Sequence, residues 1–254
     1  MKQIPNLFTL LNLVFGCLAI VFVLEAGVMI ISDVQGNDLL YIPEKIWYAS
    51  LFIGLAAIVD FLDGFVARLF KASSEMGKQL DSLADLVSFG VAPGLILYHF
   101  LRLAVAHEPD GMDSFVIWLL PAFIIPAAAA WRLARFNLDK SQSHSFKGLP
   151  VPATGLVVAS LPLIYWNVNE SWVQELLLNK WFLYGLIFLL SWLMISTIPL
   201  MALKFSDFGF KKNFPKYLVI LIAVLSIIVF KWLAAPIIVL AYVILSLLFK
   251  KQTA

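Results

Sequence analysis

Residues 59–85 read VDFLDGFVARLFKASSEMGKQLDSLAD and join two long apolar runs. Residues three, four, seven or eight positions apart lie on one face of an α-helix. Before the turn, this spacing places five residues on one helix face: Asp60, Asp63, Gly64, Ala67 and Arg68. After the turn, it places three residues on one face of a second helix: Gly77, Asp81 and Asp85. The stretch therefore predicts a helical hairpin with two polar faces.

The turn of this hairpin is predicted at about residues 71–75, where Ser73 and Ser74 are candidate N-caps of the second helix. When the two helices fold back on each other, Asp60 lies level with Asp85. At 1.5 Å per residue, the carboxylates lie roughly 10 to 16 Å from the turn. The spacing therefore predicts that the two polar faces meet.

The composition predicts that these helices lie in a membrane. Of the 254 residues, 62% are hydrophobic and 13% are charged, whereas soluble domains are roughly half apolar and about a quarter charged. The single cysteine, Cys17, excludes a disulfide scaffold. The net charge of +2 excludes a basic nucleic-acid-binding surface, so no nucleic-acid partner is expected. We expect an all-α integral membrane protein.

The apolar runs predict about eight transmembrane helices in a single polytopic domain, residues 1–254. The runs lie near residues 7–31, 46–70, 80–101, 115–136, 152–166, 181–203, 217–230 and 233–249. With eight spans, 14 of the 18 basic residues fall on the side that carries both termini. Because positive loops stay in the cytoplasm, both termini are expected inside the cell, with the protein in the cell (inner) membrane.

Four aspartates in one intramembrane hairpin form a candidate functional site, because ionisable residues within a span are costly. Their charges would repel one another at low dielectric, and divalent cations would offset that repulsion. Ligands that are all oxygen favour a hard ion such as Mg²⁺, Mn²⁺ or Ca²⁺. Two alternatives are a set of structural ion pairs and a divalent-cation transporter that uses the same aspartates.

The residues of the two polar faces, with eight residues between Arg68 and Gly77, resemble the signature of the CDP-alcohol phosphatidyltransferase family. This resemblance implies a cytoplasm-facing cavity around the second and third helices, where a CDP-linked lipid binds with two divalent ions, Mg²⁺ or Mn²⁺. It further implies that an alcohol attacks the β-phosphorus and that CMP leaves. The resemblance also implies a homodimer.

The resemblance assigns roles to the signature residues. Asp60, Asp63, Asp81 and Asp85 would be metal ligands, and Asp85 would also be the catalytic base that takes the hydroxyl proton. The CDP site would be lined by Gly64, Ala67, Arg68 and Gly77. Asn6 and Thr9 are further candidates for binding the cytidine or its ribose, although N-capping of the first helix explains them equally well.

The acceptor alcohol is indicated by other polar residues. The motifs LDSLAD at 80–85, SFGVAP at 88–93, RLARFN at 132–137 and FKGLPVPA at 146–153 resemble the branch of the family that transfers to L-serine. The candidate acceptor-binding residues are Arg132, Arg135, Asn137 and Lys147. An arginine pairs bidentately with a carboxylate, which serine carries, although positive-inside anchoring also explains such arginines. The resemblance covers residues 5–160, the expected catalytic core, and residues 161–254 are expected to add further transmembrane helices.

The expected reaction takes the phosphatidyl group from CDP-diacylglycerol to serine in the lipid bilayer. The alternative within the same family is another acceptor, namely glycerol 3-phosphate, inositol phosphate or choline.

Overall fold

The computed structural model describes residues 4–27, 29–32, 38–69, 74–108, 116–138, 146–201 and 209–249. Ten α-helices lie in these ranges: α1 Ile4–Ala26, α2 Trp47–Leu69, α3 Glu75–Asp85, α4 Ala92–Ala106, α5 Ile124–Leu138, α6 Val151–Asn167, α7 Ser171–Leu177, α8 Lys180–Ile195, α9 Phe210–Phe230 and α10 Ala234–Leu248. A π-helical segment, Leu86–Val91, joins α3 to α4. The predicted all-α class is confirmed.

The strands are short and pair only locally. β1 (Met29–Ser32) and β2 (Asp38–Tyr41) form an antiparallel pair between α1 and α2. β3 (Phe146–Lys147) pairs with β4 (Pro199–Leu200) and so links the chain before α6 to the chain after α8. The two pairs connect helices and form no larger sheet within the described residues.

Several helices are long and apolar enough to cross a membrane, so the chain is a multi-pass membrane protein. Four stretches of the described residues meet this criterion: Pro5–Ala26, Glu44–Val66, Glu75–Ala106 and Asn213–Leu248. A fifth would be α7 with α8, which meet at an angle of 67°. α6 is apolar but shorter. The count of eight spans stays a prediction, although each of the eight apolar runs contains a helix.

The stretch Asn213–Leu248 folds back on itself. Lys231 has a φ of 46°, a left-handed conformation that ends α9. The rings of Phe214, near the start of α9, and Phe249, after α10, lie with their centroids 6.2 Å apart. α9 and α10 therefore run antiparallel, as the separate apolar runs at 217–230 and 233–249 predict.

The apolar run at 115–136 is only partly α-helical. Two 3₁₀ turns, Val116–Trp118 and Leu120–Phe123, precede α5. Pro121 and Pro126 lack the backbone N–H that an α-helix needs and can be accommodated only near its start. Hydrophobicity alone therefore predicts a longer helix than the 15 residues of α5.

α1 packs against the predicted hairpin. It contacts α2, α3 and the π-helical segment, and the rings of Phe22 and Phe52 stack between α1 and α2. Gly16 faces Ser88 so closely that a Cβ at Gly16 would overlap Ser88 Oγ and lie 2.9 Å from Ser88 Cα. The missing side chain therefore lets α1 approach the π-helical segment that follows α3.

Gly16→Ala should lower the free energy of unfolding by about 1 to 3 kcal/mol, the usual cost of overpacking a filled contact. The measurement is thermal unfolding of the purified protein in detergent. Gly54→Ala is the matched control, because a Cβ at Gly54 in α2 meets no described atom within 4 Å. Since alanine favours a helix over glycine, the control should be as stable as the wild type or more so. Equal melting temperatures for Gly16→Ala and the wild type would contradict the close contact.

Candidate active site

The hairpin of α2 and α3 brings its aspartates together. Carboxylate oxygens of Asp60, Asp63 and Asp81 lie within 4.8 Å of one another. Asp85, one helical turn beyond Asp81, lies next to Asp60 and Asp81. Asp63 and Asp85 are buried, and the other two are half-buried. The predicted meeting of the two polar faces is therefore observed for all four carboxylates, which we call the acidic cluster.

The second helix of the hairpin begins at the predicted cap. Ser74 has an extended backbone, and its Oγ accepts a hydrogen bond of 3.0 Å from the Gly77 backbone N–H. The other predicted cap, Ser73, lies outside the described residues. This cap starts α3 one turn before the face that carries Gly77, Asp81 and Asp85.

Helix α1 contacts two members of the acidic cluster through hydrogen bonds. Thr9 Oγ1 donates to Asp63 Oδ2 over 2.8 Å and lies 3.2 Å from the Pro5 carbonyl oxygen. Asn12 Nδ2 donates to Asp85 Oδ1 over 3.1 Å. Thr9 and Asn12 are three residues apart and so share a helix face. One face of α1 thus contacts one aspartate of α2 and one of α3.

A cavity of about 540 Å³ opens beside the acidic cluster, a size typical of small-molecule sites. A Cβ added to Gly64 would meet nothing within 4 Å, whereas one added to Gly77 would lie 3.0 Å from Asn6 Oδ1. The side chains of Ala67 and Arg68 lie outside the described part of the structure. The lining comprises Pro5, Asn6, Thr9, Asp63, Gly64, Ser74, Glu75, Gly77, Lys78 and Asp81. Four predicted CDP-binding residues, Asn6, Thr9, Gly64 and Gly77, are among them.

The acidic cluster suits divalent cations better than it suits structural ion pairs. Within the described ranges, no basic side chain forms an ion pair with Asp60, Asp63, Asp81 or Asp85. Asp81 Oδ1 is buried and has no hydrogen-bond partner among the described residues. Converging carboxylate oxygens with unused lone pairs are the ligand set that a hard cation prefers. The residues present therefore fit the metal site that the sequence predicts.

Arg132 on α5, one of the predicted acceptor residues, lies near the acidic cluster. Only 6% of its surface is exposed. Its guanidinium lies near enough to Asp85 for their opposite charges to attract each other. Its Nε is buried and has no hydrogen-bond partner among the described residues. A buried guanidinium with an unused donor is a candidate site for an anionic group.

Arg135, one turn further along α5, contacts the end of α8 instead. Its two terminal nitrogens each donate over 2.9 Å, one to the Ile195 carbonyl oxygen and one to that of Ser196. These contacts cap the last carbonyls of a helix, a stabilising arrangement for a cation. The structure therefore does not bring the guanidinium of Arg135 to the acidic cluster.

The remaining predicted acceptor residues lie at the ends of elements. Asn137 Nδ2 donates to Ser82 Oγ over 2.8 Å, and the Asn137 carbonyl oxygen accepts from Lys78 Nζ at 3.0 Å. These bonds tie the end of α5 to α3. Lys147 lies in β3 opposite Pro199 of β4.

The motif around Lys147 continues into a constrained turn. Gly148 has a φ of 78°, and a Cβ there would lie 2.6 Å from the Met194 carbonyl oxygen. The backbone N–H groups of Gly148 and Leu149 donate over 2.9 Å to the carbonyls of Ile198 and Leu193. The turn is therefore a docking point for the end of α8, and it requires glycine.

Sequence reasoning missed three residues at the site. Asn12 hydrogen-bonds to Asp85, while Glu75 and Lys78 line the cavity. A signal for Asn12 exists, since it is a polar residue inside an apolar run and three positions after Thr9. Glu75 and Lys78 resemble ordinary charged residues of a first helical turn, so the sequence carries no signal for them.

The chain is similar to known proteins over the region that contains the acidic cluster. The CDP-alcohol phosphatidyltransferase profile matches residues 2–193. A CDP-diacylglycerol–serine O-phosphatidyltransferase of Bacillus subtilis is 34% identical over 165 residues, covering 65% of this chain and 78% of the relative. A CDP-diacylglycerol–serine O-phosphatidyltransferase of Mycobacterium tuberculosis H37Rv is 31% identical over 253 residues, covering 97% of this chain and 76% of the relative. The Saccharomyces cerevisiae enzyme with the same name is 41% identical over 128 residues, covering 47% of this chain and 42% of the relative.

The matched region contains the whole hairpin and the acidic cluster, together with α1, which hydrogen-bonds to that cluster. The match covers well over half of the 254 residues. The chain belongs to the CDP-alcohol phosphatidyltransferase family.

Proposed function

We propose that the chain transfers the phosphatidyl group of CDP-diacylglycerol to the hydroxyl group of L-serine and releases CMP. The observation that carries this proposal is the acidic cluster beside a cavity of about 540 Å³, within a region that matches the family profile. Serine as the acceptor is supported by relatives named as serine O-phosphatidyltransferases in bacteria and in yeast.

In the proposed reaction, the serine hydroxyl oxygen forms a bond to the β-phosphorus. The bond from that phosphorus to the oxygen of the CMP leaving group breaks. The Asp85 carboxylate accepts the hydroxyl proton, and its position next to Asp60 and Asp81 supports this role. Asp85 is buried, so bulk water does not compete for that proton.

Asp60, Asp63, Asp81 and Asp85 would hold two divalent ions, Mg²⁺ or Mn²⁺. Such ions, when bound, would offset the charge of the diphosphate and of the leaving phosphate. Asp63 accepts a hydrogen bond from Thr9, which orients its carboxylate. Ligands fixed in this way need little rearrangement when an ion binds.

The cavity beside the acidic cluster would receive the CDP group. Gly64 and Gly77 leave room for it, because a side chain at either position would project into the cavity or against Asn6. Asn6, Thr9, Ala67 and Arg68 are the other proposed CDP contacts. Lys78 is a further cation on the cavity wall and is suited to a phosphate oxygen.

Arg132 would bind the serine carboxylate. Its burial, its unpaired Nε and its electrostatic interaction with Asp85 support this assignment. Asn137 and Lys147 would also contact the acceptor, and Arg135 would contribute by holding α5 against α8. The proposal places the cavity on the cytoplasmic side of the cell membrane, with both termini inside and two copies of the chain in a homodimer.

An acceptor panel tests the proposal. Purified protein in detergent would be given CDP-diacylglycerol, Mn²⁺ and one alcohol at a time, and CMP release would be measured. We expect release with L-serine and little with glycerol 3-phosphate, inositol phosphate or choline. Release with another alcohol and none with serine would refute serine as the acceptor. Metal flux into sealed vesicles without any CMP release would instead indicate a cation transporter.

A further inference from the structure

Asn12 is a polar residue in an apolar helix, and the proposed reaction gives it no role of its own. It lies in α1 between Leu11 and Leu13, and its side chain is completely buried. An amide in this setting costs free energy unless it is hydrogen-bonded. Its Nδ2 donates to Asp85 Oδ1 over 3.1 Å, across 73 residues of sequence.

Only the nitrogen of the Asn12 side-chain amide forms a hydrogen bond among the described residues. Its Oδ1 is buried and has no partner among the described residues, so packing alone does not explain why an amide occupies the site. An N–H group stabilises an ionised carboxylate, whereas a carbonyl oxygen would be repelled by it. The amide therefore presents the end that suits a charged Asp85.

The backbone of Asn12 is fixed relative to Asp85. Ser88 Oγ, one turn after Asp85, donates to the Asn12 carbonyl oxygen over 3.0 Å. Gly16, one turn after Asn12, permits close approach to Ser88. α1 also packs along α2, α3 and the π-helical segment. This packing holds the Asn12 amide beside Asp85 even without the Ser88 hydrogen bond.

We propose that Asn12 is a positioning residue, which holds one oxygen of the Asp85 carboxylate and leaves the other for the metal and the acceptor hydroxyl. The proposal rests on the proposed function, because it assumes that Asp85 is a ligand and a base. It assigns to α1 a role in catalysis that is separate from binding CDP. Removing the amide should therefore affect turnover and metal binding more than it affects the affinity for the donor lipid.

The test compares Asn12→Leu and Asn12→Ala with Ser88→Ala. Leucine keeps the volume and removes the donor, alanine removes both, and Ser88→Ala deletes the neighbouring hydrogen bond but leaves the amide in place. In both Asn12 variants kcat should fall about 10- to 100-fold, as is usual when the partner of a metal ligand is lost, while KM for CDP-diacylglycerol stays unchanged. Mn²⁺ binding, followed by electron paramagnetic resonance without substrates, should weaken by a similar factor. Ser88→Ala should keep wild-type kcat and Mn²⁺ affinity.

Three results would overturn the proposal. One is wild-type kcat and Mn²⁺ affinity in a folded Asn12 variant. Another is an equal loss in Ser88→Ala, which would make the contact a packing contact. The third is failure of both Asn12 variants to fold, judged by gel filtration and circular dichroism, which would make Asn12 a structural residue. If the wild type itself fails to release CMP with serine, the proposed function fails, and Mn²⁺ binding still tests Asn12.

Discussion

Asp81→Ala is expected to lower the rate of CMP release by at least about 1,000-fold, because stabilisation of charge by a metal ion is worth several kcal/mol and each 1.36 kcal/mol is a factor of ten in rate. Asp81 is one of three residues whose carboxylate oxygens converge within 4.8 Å. Its removal leaves the proposed metal site without one of its ligands. The measurement is CMP release with saturating serine and CDP-diacylglycerol.

The same substitution should leave the fold intact. Asp81 Oδ1 has no hydrogen-bond partner among the described residues, and the side chain is only half-buried. Without metal, deleting one of four neighbouring negative charges relieves repulsion. The melting temperature of Asp81→Ala in the presence of EDTA should therefore equal or exceed that of the wild type.

Glu75→Gln is the matched control for Asp81→Ala. Glu75 also lies on α3 and lines the same cavity, but it is exposed and stands outside the acidic cluster. Its loss should change the rate of CMP release less than tenfold, roughly the effect expected of an exposed charge worth up to about 1 kcal/mol. An Asp81→Ala enzyme that works as well as Glu75→Gln would refute the metal-ligand role.

The hairpin could be predicted from sequence because its determinants are local. Helical periodicity fixes which residues share a face, and the cap at Ser74 fixes where α3 begins. Once the chain turns, two faces at matched depth must meet. The acidic cluster can be predicted without knowing where any other helix lies, because the spacing within the hairpin identifies its four residues.

The partners of the hairpin could not be predicted in this way. The bonds from Thr9 to Asp63 and from Asn12 to Asp85 span 54 and 73 residues. They depend on how α1 packs, which in turn depends on the close approach at Gly16. The hydrogen bond from Arg135 to the carbonyl oxygen of Ile195, 60 residues away, is equally non-local. An apolar run predicts that a helix is in the membrane but not which neighbour it faces.

Arg132→Leu is expected to lower kcat/KM for serine by about 10- to 100-fold, because a hydrogen bond to a charged group is worth roughly 1.5 to 3 kcal/mol. The loss should appear mainly as a higher KM for serine, with KM for CDP-diacylglycerol unchanged. The kcat/KM of Arg132→Lys for serine should lie between those of the wild type and Arg132→Leu. Lysine keeps the charge but lacks the planar guanidinium that pairs with a carboxylate.

Arg135→Leu is the matched control for Arg132→Leu. It tests whether binding of the serine carboxylate needs Arg132 in particular or any arginine on α5. The two residues lie one turn apart, but Arg135 donates to the carbonyls of Ile195 and Ser196. Its replacement should lower the melting temperature and leave KM for serine near that of the wild type. Ethanolamine, which is serine without the carboxylate, gives a second readout. The wild type should strongly prefer serine, Arg135→Leu should keep that preference, and Arg132→Leu should lose most of it. An undiminished preference for serine in Arg132→Leu would show that the carboxylate is bound elsewhere.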